Sequence, residues 1–225
     1  MIEIADNIVQ LISTGLVTVI SLYRSARTKS LAWNMLGLFS GVYFLGLTYW
    51  LLFLLFYNHT PQYSIIQDLS WYSSYLFLML LIIYVREESS GNDSFPVSPR
   101  TPIGEIVASI KPVLWLIPVF TAGMCIFFMQ YGAILSNIIA AVLMTGLIWH
   151  AASGLLSFGG EDRNYNKHKL LYLVTILFCI TEYALWTSSC IWQGSKITNP
   201  YFWLDTLLSI VFLLFIPALR KAVDR

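Results

Sequence analysis

Charge is what this chain has least of. Lys and Arg number 13 and Asp and Glu 12 among 225 residues, 11% in all, where a soluble domain carries about 25%. Too little polar surface remains to coat a water-soluble globule. Cysteines number three, odd and too sparse for a disulfide-built scaffold. Catalytic signatures are missing too: no HExxH for zinc, no phosphate-cradling GxxxxGK[ST], no GxSxG nucleophile elbow and no paired His for haem. The basic residues are dispersed over short regions, which excludes nucleic acid as a partner. From these absences we expect no enzyme, no cofactor and no metal.

What the chain has in abundance is apolar length. Hydrophobic residues make up 57% and the mean hydropathy is +0.70. A helix crossing hydrocarbon needs about 20 mainly apolar residues. Seven segments qualify: 7–23, 31–57, 66–85, 112–131, 133–158, 169–192 and 200–219. The expected fold is an all-α integral membrane protein, a single seven-transmembrane-helix bundle over residues 1–225. Runs such as Leu51–Phe56 and Leu76–Ile83 lack the alternation of a barrel strand, and the loops are too short for a soluble domain. Gln130-Tyr131-Gly132 predicts a tight hairpin between spans four and five. Apolar residues Ile103, Ile106, Val107 and Ile110 predict a short interfacial helix over 101–111. The Ser- and Pro-rich stretch 86–111 reads as a mobile loop, and Met1–Gln10 as the start of a retained first helix. Gly37 and Gly41 match the GxxxG spacing of close helix contacts.

The few charges carry the orientation. With seven crossings every Lys and Arg except Lys196 falls on one face, in the regions around Arg24, Arg86, Arg163 and Arg220. Cytoplasmic loops carry the basic excess, so the N-terminus is expected outside and the C-terminus in the cytoplasm, in a plasma membrane.

An ionised side chain inside a span costs at least a few kcal/mol unless paired or wetted, so each such position is a candidate. Glu182 lies ~20 Å beyond Lys169 along its helix, slightly outside the midplane. It reads as a ligand contact, proton relay or cation site, or as a neutral Glu bonded to a neighbouring helix. Asp205 sits early in the last span, where Asn199-Pro200 opens the helix and the dipole also favours an acid. If the last two helices are neighbours, both acids approach one outward-facing cavity. Trp186 and Ser189 share a face with Glu182, and Ser209 with Asp205. Asp68, Tyr72, Tyr75 and Met79 form one stripe of the third helix, with Trp71, Ser74 and Leu78 beside it. Asn137 in helix five, and Tyr43, Tyr49 and Trp50 in helix two, add to the outer half. The expected ligand-binding residues are Glu182, Asp205, Trp186, Tyr72, Tyr75, Trp71, Asn137 and Tyr49. His150 reads as a helix contact or a proton-linked switch, while His59 and His168 fall in loops.

Seven helices with this orientation resemble uncharacterised bacterial seven-transmembrane proteins and the seven-helix input modules of sensor kinases and cyclases, through topology and the aromatic third helix Asp68-Leu-Ser-Trp-Tyr-Ser-Ser-Tyr75. Leu204-Asp205 is also similar to the seventh helix of microbial rhodopsins, but Ser209 stands where their retinal-binding lysine would be, which rules out a Schiff base. The resemblance implies a sensor that takes a small ligand from outside and signals to a cytoplasmic partner or as a homo-oligomer. The alternatives are a small proton- or cation-coupled transporter and a structural subunit of a membrane complex.

Overall fold

In a computed structural model, the described residues are 2–57, 65–90, 134–157, 163–191 and 199–223, with Ala122. They form six long helices: α1 (Ile2–Thr28), α2 (Leu31–Tyr57), α3 (Ile65–Ser90), α4 (Ile134–Ser157), α5 (Arg163–Ile191) and α6 (Pro200–Val223). All six are long and apolar enough to cross a membrane. The chain is a multi-pass, membrane-type helical bundle. The expected span 112–131, its hairpin at Gln130-Tyr131-Gly132 and the short helix over 101–111 lie outside the described residues.

Several helices outrun the apolar segments that announce them. The second starts and stops where expected, but α1 extends at both ends and α5 begins at Arg163, so His168 is helical and not in a loop. Likewise α3 continues through Arg86–Ser90, the start of the stretch expected to be loop. The physical reason is that hydropathy marks the part of a helix in hydrocarbon. Charged turns beyond it still close their backbone hydrogen bonds.

Local chemistry sets two of the ends. Lys29 adopts a left-handed backbone (φ 54°), and its N–H donates to Ser25 O at 2.8 Å, which terminates α1 two residues before α2 starts. At α6, Asn199 Oδ1 accepts from Tyr201 N at 3.0 Å and Pro200 takes the first helical position, where its missing N–H is not needed.

The six helices pack in a ring in chain order, with α6 closing back onto α1; α2 touches α6, and α3 touches α5, across the middle. Gly37 and Gly41 face α1, where an added Cβ would meet Leu22 at 2.7 Å and Thr18 at 3.2 Å, so the GxxxG spacing marks a real close approach. Thr18 Oγ1 donates to Ser40 Oγ across this contact at 3.0 Å.

We call the end of the bundle where α1 begins the upper end. Tyr72 on α3 donates to Ser136 O on α4 at 3.0 Å, and Ser136 Oγ donates to Asp68 Oδ2 at 2.6 Å. The starts of α3 and α4 therefore lie together, and the two helices run parallel. Every other pair of sequential described helices is antiparallel. Arg24, Arg27, Lys29, Arg86, Lys167, Lys169, Arg220 and Lys221 all fall towards the lower end, where the Arg24 guanidinium lies 5.0 Å from the Trp33 ring.

The helix faces are arranged inside out. On α1 the buried stripe is Asn7, Gln10, Ser13, Thr14, Val17 and Ser21, while Ile8, Val9, Ile12, Leu16 and Val19 are exposed. Water would enforce the opposite arrangement. Polar groups inward and aliphatic groups outward is the pattern that hydrocarbon surroundings select.

Candidate functional site

Glu182 on α5 is 1% exposed, and two tyrosine hydroxyls converge on one of its oxygens. Tyr43 on α2 donates to Oε1 at 2.8 Å and Tyr75 on α3 at 3.2 Å. Both tyrosines are buried, at 2% and 1% exposure. Three helices thus meet at one carboxyl oxygen. The bonds hold because the burial that makes a carboxyl expensive also strengthens hydrogen bonds to it.

Asp205 lies in the second turn of α6, closer to the upper end than Glu182, and is 2% exposed. It stands within electrostatic reach of Asp6 on α1 and of Glu182. The packing of α5 on α6 thus brings the two acids together, as the sequence suggests. Their states differ. Oδ1 of Asp205 is buried with no hydrogen-bond partner, and so is Oγ of Ser209 one turn below it.

The aromatic residues divide. Trp186 follows Glu182 by one turn and Trp71 precedes Tyr75 by one turn, so the indoles meet just above the carboxyl, with centroids 6.2 Å apart. The Trp71 Nε1–H is buried without a partner. Tyr72 and Asp68 instead tie α3 to α4, so the expected third-helix stripe splits between two neighbours. Asn137 is half-buried near the start of α4. Tyr49 is half-buried too, its ring 6.1 Å from that of Phe53 on its own helix. The tyrosine of α2 that reaches Glu182 is Tyr43. An apolar helix gives no hint of which face turns inward, so the spacing alone does not tell Tyr43 from Tyr49 as the partner of Glu182.

Below the acids a cluster of rings packs between α2, α5 and α6. Phe39, Phe178, Phe212 and Phe215 are fully buried and in mutual contact, Phe39 stacking on Phe212 at 5.3 Å and meeting Phe178 edge-on at 5.4 Å. Tyr43 rests on Phe212 at 4.7 Å. The cluster lies one turn below Tyr43 and Glu182 on their own helices. His150 lies towards the lower end, half-buried, with Arg86 within electrostatic reach, and takes no part in this site.

Sequence reasoning also missed the polar stripe of α1. Asn7, Gln10, Ser13 and Thr14 recur at spacings of three and four on an otherwise apolar helix, a signal as legible as an isolated acid.

Among the described residues, no three His, Cys, Asp or Glu side chains converge as a metal site. Compared with protein-family models, curated proteins and solved structures, the chain matches none of them. The functional reading therefore rests on its residues alone.

Removing either tyrosine hydroxyl takes a donor from a buried acid, a loss of about 1–3 kcal/mol for a buried group left without a partner. Tyr43→Phe should lower the unfolding midpoint in detergent more than Tyr75→Phe, following the shorter bond. Equal midpoints for wild type and both variants would show that the hydroxyls do not hold the carboxyl.

Proposed function

We propose that this protein is a seven-span receptor or sensor of the plasma membrane, with its upper end outside, that takes a small ligand at the interior acids and signals through its lower face. The observation that carries this reading is the placing of the two buried acids. Asp205, Ser209 and Glu182 lie in the upper part of the interior, above a cluster of buried phenylalanines from α2, α5 and α6. A ligand entering from above meets polar partners and then these rings. A transporter needs a polar route on both sides of its acid, and the four phenylalanines stand where that route would continue.

The direction of α3 and α4 supports seven crossings over six. Because both start at the upper end, the chain between Ser90 and Ile134 returns from the lower end to the upper. A backbone crossing hydrocarbon satisfies its own hydrogen bonds as a helix, and 112–131 is the apolar stretch available for it. The orientation follows from the Lys and Arg at the lower end, which the positive-inside rule places in the cytoplasm. Signal transfer falls to α5 and α6, which carry the two acids and end in basic turns at the lower face. A cytoplasmic partner protein, or a second copy of this chain, supplies the output.

A thermal-shift screen of small polar and aromatic compounds on the purified protein tests the reading. We expect compounds that raise the midpoint of the wild type by a few degrees and leave a Glu182→Gln/Asp205→Asn variant unmoved. Stabilisation that survives both substitutions in every case would refute the interior site, and sustained uptake into proteoliposomes would make the protein a transporter. In the cell, a cysteine at Ser30, in a variant freed of native thiols, should be shielded from an impermeant reagent that modifies one at Ile65. The reverse pattern would invert the orientation.

A further inference from the structure

We infer that the turn of α6 from Asp205 to Ser209 is a binding site for a monovalent metal cation of sodium's size, which enters from the upper end. The inference rests on the interior site proposed above and names the chemistry of one of its occupants.

Three observations lead there. The first is that two oxygens lack partners in the same place. Asp205 Oδ1 and Ser209 Oγ are both cut off from solvent and unbonded, on residues 2% and 4% exposed. Residues four apart on a helix hold their Cβ atoms about 5–6 Å apart, a gap that one small ion spans with a bond to each oxygen.

The second is how hydroxyls behave elsewhere in the bundle. Thr14, Ser40, Thr175, Thr181, Ser188 and Thr206 all turn back and donate to a carbonyl on their own helix. Ser209 does not, although the Asp205 carbonyl is there to receive it. Ser21, far down α1, shares that state but has no acid one turn away.

The third is charge. Asp6 and Glu182 add to the negative field at Asp205, and Glu182 Oε1 already holds two tyrosine donors. Every described Lys and Arg falls towards the opposite end. Among the described residues, then, no Lys or Arg stands beside Asp205.

Donor chemistry then selects the ion. Both donors are hard oxygens, which disfavours zinc and copper. Calcium takes 6–8 oxygens and usually several carboxylates, and among the described residues no three acids converge as a metal site. One carboxylate, one hydroxyl and water match a single positive charge. A proton on Asp205 could be donated to the Ser209 oxygen, whereas a metal cation coordinates both oxygens, and the test below separates the two by whether stabilisation follows sodium or pH.

The test measures the unfolding midpoint of the purified full chain while sodium replaces choline at constant ionic strength. We expect sodium to raise the midpoint by ~5 °C at saturation. Ser209→Ala should shift the half-saturating concentration upward by about tenfold, the loss of one oxygen ligand worth roughly 1.4 kcal/mol. Asp205→Asn should abolish the response, and Thr206→Ala, on the exposed face, should leave it intact. Midpoints identical in sodium and choline would overturn the assignment. So would a stabilisation that follows pH alone, or a sodium response that Ser209→Ala leaves unaltered. If a compound stabilises the protein through Glu182 and Asp205 while sodium does nothing, the cation site is wrong and the receptor reading stands. If sodium acts through Asp205 and Ser209 but no compound depends on the acids, the reverse holds.

Discussion

Hydrocarbon offers a polar group nothing to bond, and this constraint organises every helix of the bundle. On α1 it turns Asn7, Gln10, Ser13 and Thr14 inward and leaves Ile8, Ile12 and Val19 outside. It also explains why so many hydroxyls close onto their own helix, since an unbonded group inside the bilayer costs several kcal/mol. Side chains that do reach across, such as Thr18 to Ser40 and Tyr72 to Ser136, fasten one helix to the next where apolar packing alone has no hydrophobic drive to do so.

Glu182 is where the constraint acts most strongly. Its carboxyl is tolerated because α2 and α3 each send a tyrosine hydroxyl to it, and those two helices are thereby joined to α5 at a single oxygen. Immediately below, Phe39, Phe178, Phe212 and Phe215 pack on one another from α2, α5 and α6. Asp205 and Ser209 lie above these rings with oxygens that nothing in the described protein satisfies. Firmly bonded acid below and unsatisfied acid above is an arrangement suited to receiving something small, and α5 and α6 together carry both.

Much of this was legible in the residues. Five apolar segments of the expected length, and the polar-tipped first, announced helices in the right places. Glu182 stood out as an acid alone in an apolar run, and its neighbour Trp186 fell on the expected face. The gaps have physical causes. Helix ends such as Arg163–Lys169 are charged because they leave hydrocarbon, and hydropathy cannot follow them there. On α2, apolar all round, Tyr43 and Tyr49 differ only by which way the helix is rotated, a matter of packing against five other helices. On α3, Tyr72 and Tyr75 share a stripe but stand about 60° apart around the axis after three residues, enough to send one to Ser136 and the other to Glu182. Asp205 and Ser209 were placed on one face by spacing, but their lack of partners belongs to three dimensions.

Tyr43 and Tyr75 together hold the Glu182 carboxyl. Replacing one partner of a buried hydrogen bond strands the other, whereas replacing all with apolar groups of similar shape is nearly neutral. The most direct measurement is a mutant cycle of unfolding free energies among Glu182→Leu, Tyr43→Phe/Tyr75→Phe and the triple variant. The account predicts that the triple variant is more stable than the sum of the separate losses allows, by about 1–3 kcal/mol. Strict additivity would mean that the carboxyl and the two hydroxyls act independently, and would contradict it.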